Sequence, residues 1–210
     1  MMITPARIFD PVANLAKQLH PRHWRELYRL FRNHKWERDD DNGDLLISHA
    51  RIHGEYESFA PDGLGTVVTP NLLTTEGCNH ILSATIAGGT QYTTWYVAPF
   101  SGTDSPLDTW TAATFASAST ELSTTYSEST RVAFQESAPA TKSTNNTSNP
   151  AVFTAASDSV TIWGIGLLSH STKRSTSGVL LSAAKYGSAR TLPTTGDTLG
   201  VKYTLTLANS

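Results

Sequence analysis

The chain has 210 residues, a formal net charge of -2 and a charged fraction of 16%, low against about 25% for soluble domains. That length suits one domain, or one domain plus an arm, and is enough to bury a core unaided. The charge balance gives no global reason to expect a nucleic acid or an anionic membrane as partner. The single cysteine, Cys78, excludes an intramolecular disulfide and argues against a cysteine-based metal cluster. No apolar run reaches the ~20 residues of a membrane-spanning helix, and the start MMITPARIFDPVANL lacks a basic stretch followed by a long apolar one, so no secretory signal is expected. Folding in a reducing cytoplasm is the expectation.

Residues 1–44 differ from everything after them and read as an N-terminal helical arm. Of the sixteen lysines and arginines, eight lie between Arg7 and Arg38, and Arg51 follows just past the arm. Pro11, after Asp10, suits the first position of a helix to about Leu19, and Pro21 closes that helix or opens the next. From Arg22 to Trp36 the pattern is amphipathic. Trp24, Leu27, Tyr28 and Phe31 fall at i, i+3, i+4 and i+7, with Arg22, Arg25, Arg29 and Arg32 on an adjacent face. One reading packs this helix on its own domain with a solvated charged side. The other docks it on another protein, with Trp24, Tyr28, Phe31 and Trp36 as anchors and Arg25, Arg29 and Arg32 as partners for carboxylates. Nucleic-acid binding is disfavoured, because Asp39, Asp40, Asp41 and Asp44 offset the helix's field.

From Leu45 the periodicity changes to that of strands. Leu45–Ile52 and His53–Phe59 alternate, Pro61-Asp62-Gly63 is a turn, and Gly65-Thr66-Val67-Val68 is the return of a hairpin. Next comes a short helix near residues 74–84. Thr74 or Thr75 caps it, Glu76 sits in its first turn, and Cys78, Ile81 and Leu82 form its expected buried face. Ala87-Gly88-Gly89 stops it, since glycine takes positive φ without steric cost. Thr93–Phe100 is a buried strand that Pro99 restricts to an edge or to its last residues.

Ser101–Pro106 reads as a loop, Leu107–Ser119 as a short helix or irregular, and Val132–Gln135 as a strand. Ala138–Pro150 is a polar loop with room for one strand at its start. Val152–Ala155, Val160–Leu168, Gly178–Tyr186 and Leu199–Leu207 are the clearest remaining strands. Many short strands separated by turn residues predict a mainly β fold. The expected architecture is an antiparallel β-sandwich over residues 45–210, jelly-roll-like or immunoglobulin-like.

No G-x-S-x-G, H-E-x-x-H or phosphate-loop pattern occurs, so no enzymatic activity and no cofactor are expected. Gly164-Ile165-Gly166 has no third glycine and reads as close packing or a bulge within a strand. Asp104, Asp108, Glu121, Glu128 and Glu136 are carboxylates that nothing in the sequence arranges as a glycosidase pair. Cys78 is expected to be a small buried group and no dyad with His80, because residues two apart on a helix point in different directions. Trp95 and Trp163 are expected in the core, and Trp110 is the candidate exposed anchor.

Several runs together resemble a family. Pro70-Asn71-Leu72-Leu73, Glu76-Gly77, His80-Ile81-Leu82 and Thr94-Trp95-Tyr96-Val97 are followed by Tyr126-Ser127-Glu128-Ser129-Thr130-Arg131, by Ile162-Trp163-Gly164-Ile165-Gly166 and by Gly196-Asp197-Thr198-Leu199. In this order they resemble small virion structural proteins of tailed bacteriophages, of the head-decoration or cement type. The resemblance covers residues 51–210. It implies a protein made in the host cytoplasm and carried on the phage particle, on the capsid exterior. The implied partner is the major capsid protein or another virion protein, with self-association left open. The alternative is a tail, neck or fibre component whose loops at Ser101–Trp110 and Ala138–Pro150 bind a host glycan.

Overall fold

The computed structural model describes residues 37–38, 45–46 and 50–209. β1 (Glu37–Arg38) and β2 (Leu45–Leu46) pair antiparallel, with Glu37 opposite Leu46. The helices expected over 11–19 and 22–36 lie outside the described residues. Residues 50–209 form one compact unit.

That unit is a two-sheet antiparallel β-sandwich. In chain order it contains β3 (Ala50–Phe59), β4 (Thr66–Pro70), β5 (Leu72–Leu73), α1 (Thr75–Thr85), β6 (Trp95–Phe100) and α2 (Ala112–Ala118). After these come β7 (Val132–Phe134), β8 (Ser143–Asn145), β9 (Ala151–Thr154), β10 (Val160–Leu168), β11 (Leu180–Leu192) and β12 (Thr198–Asn209). One sheet runs β5-β11-β10-β6-β7. The other runs β4-β3-β12-β8, with β9 also on β12. The Pro61–Gly65 turn makes β3 and β4 a hairpin as expected, with Gly63 and Gly65 at positive φ. β6 has β7 beside it only at Trp95–Val97, so Pro99 sits where no N–H is needed on that side.

The two sheets face each other across one apolar core. Alternate residues of β12 (Leu199, Val201 and Tyr203) meet Ile162, Leu167 and Tyr186 from the opposite sheet. Hydrogen bonds between side chains also link elements around this core. The Tyr56 and Ser182 hydroxyls lie 2.9 Å apart, and the Asn71 side-chain amide donates to the Tyr203 hydroxyl at 2.8 Å. A second core lies on the outer face of the β10–β11 sheet, where Phe115 of α2 and Trp110, just before it, pack against Phe100, Leu168 and Leu180. Gly164 and Gly166 let the Phe100 and Phe115 rings lie directly on β10, since an added Cβ at either would enter those rings. Trp163, expected in the core, is only half buried and packs against this outer cluster.

Two side-chain groups stitch the long loops to the sheets. Arg131 pairs with Glu121 through Nε and Nη2, both at 2.8 Å and both side chains fully buried. Arg131 also donates to the His170 carbonyl, and the Arg174 backbone N–H donates to Glu121. Arg190, likewise buried, lies 2.7 Å through Nε from Asp62 and donates from Nη2 to the Gly65 carbonyl. The Nε–Asp62 contact is an ion pair without hydrogen-bond alignment, since Nε has no hydrogen-bonded partner.

Candidate functional site

Burial along β12 fades in one direction. Leu199, Val201 and Tyr203 are completely enclosed, Leu205 is half buried, and Leu207 is 44% exposed. All five point to the same side of the strand. β12 continues past the opposing sheet, and the inward-facing residues at its end line an apolar groove.

Three adjoining hollows make up this groove. The first, about 310 Å³, lies between Ile52 of β3, Leu205 and Leu207 of β12, Ile81 of α1 and the turn at Pro139 and Lys142. The second, about 290 Å³, reaches inward past Trp95, Phe134 and Leu181. The third, about 290 Å³, runs along α1 beneath His80, Ile81 and Ala84 to Tyr92. His80, Tyr92 and Trp95 cluster at its wall, with ring centroids 5.1, 5.5 and 6.0 Å apart. Lys142, Ser143, Thr144, Glu136, Thr85 and Gln91 add polar groups to the wall. A surface of this kind accepts aliphatic and aromatic side chains.

Local sequence places each wall. Thr74 caps α1 by accepting from the Gly77 N–H. Gly77 brings the helix backbone against β11, because a Cβ there would collide with the Leu181 carbonyl. Glu76 turns inward and accepts from the backbone N–H groups of Leu180 and of Ala112, the first residue of α2. Gly88, at positive φ, then reverses the chain toward Tyr92 and β6.

Several expectations are corrected here. Cys78 is exposed rather than buried, and Leu82 is 57% exposed. The face of α1 turned to the domain is Gly77, Ile81 and Ala84, rotated one residue back from Cys78 and Leu82, because the closest approach is made through the glycine. Trp110 is not an exposed anchor. It is 7% exposed and packed edge-on against Phe100 and Phe115. Trp95 is half buried and lines the groove. Glu121 and Glu128 serve structure, the latter accepting from the Thr154 N–H. Trp24, Arg25, Tyr28, Arg29, Phe31, Arg32 and Trp36 lie outside the described residues. Sequence reading missed Tyr92, Leu205 and Leu207. The available signal was the unbroken inward alternation from Leu199 to Leu207, which outlasts the opposing strands.

Among the described residues, no cluster of three His, Cys, Asp or Glu side chains is placed to hold a metal ion. Nor, among these residues, is any helix long and apolar enough to cross a membrane. No family model matches the chain, and no curated protein is significantly similar to it.

Proposed function

We propose that this chain is a structural protein of a tailed-bacteriophage particle, a capsid decoration or cement protein that bridges and stabilises neighbouring shell subunits. The observation that carries the reading is the groove, an open and largely apolar surface suited to protein side chains. The resemblance supports it too. Its motif residues are fold-building in this chain: Asn71 and Glu76 tie strands and helices, Gly77 and Gly166 permit close packing, and Arg131 anchors loops. A sandwich of the jelly-roll or immunoglobulin kind, so held together, is a rigid platform. The arm of residues 1–44 lies across a neighbour, anchored by Trp24, Tyr28, Phe31 and Trp36 and flanked by Arg25, Arg29 and Arg32. Modest contacts repeated over a lattice give strong retention by multivalency, with no chemistry performed.

Purified particles test this directly. Quantitative mass spectrometry should find a copy number comparable to that of the major capsid protein, and deleting residues 1–44 should abolish binding to particles that lack the protein. A few copies per particle, or undiminished binding by the truncated chain, overturns the decoration role.

A further inference from the structure

We infer that the second hollow of the groove is a cation site, which takes a primary alkylammonium group of the kind a lysine side chain carries. The inference uses the geometry and chemistry of that hollow alone. It does not use the virion assignment.

Three observations point to this ligand. The first is the ring content of the wall. Tyr92, Trp95, Phe134 and Tyr203 all line this one hollow of about 290 Å³. Trp95 and Phe134 stand directly opposite each other on β6 and β7, so their side chains leave the sheet on the same face. The rings do not close into a flat stack. Tyr92 meets Trp95 at 76° and Phe134 meets Tyr203 at 71°, with centroids 6.0 and 5.8 Å apart. Edge-to-face rings wall a space on several sides, and a cation held among them is attracted by their quadrupoles. The second observation is charge. Among the described residues, Glu136 is the only charged side chain lining this hollow. Lys142 belongs to the lining of the first hollow and His80 to that of the third, and neither lines the second. An aromatic wall with a single carboxylate on it favours a positive ligand over a neutral or negative one. The third observation separates a primary ammonium from a quaternary one. Leu167, Leu181 and Leu205 complete the wall and offer an apolar bed for a methylene stem. A primary ammonium at the end of that stem has three N–H donors for the Glu136 carboxylate, and a quaternary one has none.

Nuclear magnetic resonance of the purified full chain tests the inference. The probe is n-butylammonium chloride, n-butanol is its uncharged counterpart of the same length, and choline chloride stands for quaternary cations. Butylammonium should move the Trp95 indole N–H signal, which is identified by its loss in Trp95→Phe. It should also bind at least about fivefold more tightly than n-butanol. Glu136→Gln and Tyr92→Leu should each weaken butylammonium binding about threefold or more. Both positions are exposed, Tyr92 by 38%, so the melting temperature should hold. Should Tyr92→Leu melt lower, Glu136→Gln and the three probes on the wild-type chain carry the test. A Trp95 signal that butylammonium leaves in place overturns the site. Equal binding of n-butanol overturns its preference for a cation, and tighter binding of choline overturns its assignment to a primary ammonium. Butylammonium binding that both variants leave unchanged places the ligand elsewhere and overturns the inference as well. Particle binding plays no part in these readouts, so the decoration role stands or falls separately.

Discussion

Glu121 and Arg131 show how much one buried pair organises. Both side chains are fully enclosed, and between them they engage the loops around His170, Arg174 and Ser175. Removing one charge strands the other in a low-dielectric interior, which costs about 3–5 kcal/mol. Glu121→Gln is therefore expected to lower the urea midpoint sharply, while Glu121→Leu combined with Arg131→Met recovers much of the loss. Asn146 acts at the same scale. Its side chain accepts from the Tyr203 N–H and donates to the Val201 carbonyl, imitating a peptide unit in the gap between β8 and β9 along β12. Neither role was legible in the sequence. Glu121 stood among candidate acids and Asn146 in a polar loop, because partners 10 and 55 residues away decide what each does.

Elements were more legible than side-chain roles. The β3–β4 hairpin, β10, and the span of α1 with its Thr74 cap and glycine stop follow local rules, and local rules suffice for them. The orientation of α1 does not follow from them. Its periodicity suggests Cys78, Ile81 and Leu82 inward; Ile81 does pack on the core, but the close approach to Leu181 puts Gly77 inward instead of Cys78 and leaves Leu82 exposed. Gly77→Ala is accordingly expected to destabilise by about 1–3 kcal/mol through overpacking, overriding the ~1 kcal/mol of helix propensity that alanine brings. A calorimetric melt decides the sign. The turn before β8 offers the opposite case. Thr141 and Lys142 both adopt positive φ, at 48° and 64°, between the bridged residues Ala140 and Ser143. This tight turn favours Asn-Gly. Thr141→Asn with Lys142→Gly should stabilise by about 1 kcal/mol, read as a raised denaturation midpoint, and it keeps the Lys142 carbonyl that accepts from the Leu207 N–H.

At the scale of the whole molecule, the sandwich is closed by hydroxyl groups in its core. Burial raises the Tyr56 phenol well above its ordinary range, reinforced by the nearby Tyr203. Burial likewise raises Tyr186, and it pushes Tyr203 up to about 12 against hydrogen bonds from Ser182 and Asn71. Folded values above the unfolded one mean that these groups contribute full stability below pH ~10 and lose it as pH rises through the folded values. Stability should therefore decline from about pH 10 to 12 and beyond. Tyrosinate absorbance should appear together with loss of near-ultraviolet dichroism. Ionisation of these tyrosines in a chain that stays folded would contradict the assignment.

Composition and alternation by themselves determined a mainly β chain, most of its strands, the hairpin and the short helix, because each depends on residues close in sequence. The pairing of β12 with β3 on one edge and with β8 and β9 on the other was decided only by the tertiary structure. So were the burial of Trp110 beneath α2, the inward turn of Glu76 and the groove at the end of β12. Each joins residues far apart along the chain, and the same local pattern is compatible with several such meetings. The inward run from Leu199 to Leu207 makes the point within one strand. Its alternation says that all five share a face, but only the extent of the opposing sheet decides which become core and which are left open to a partner.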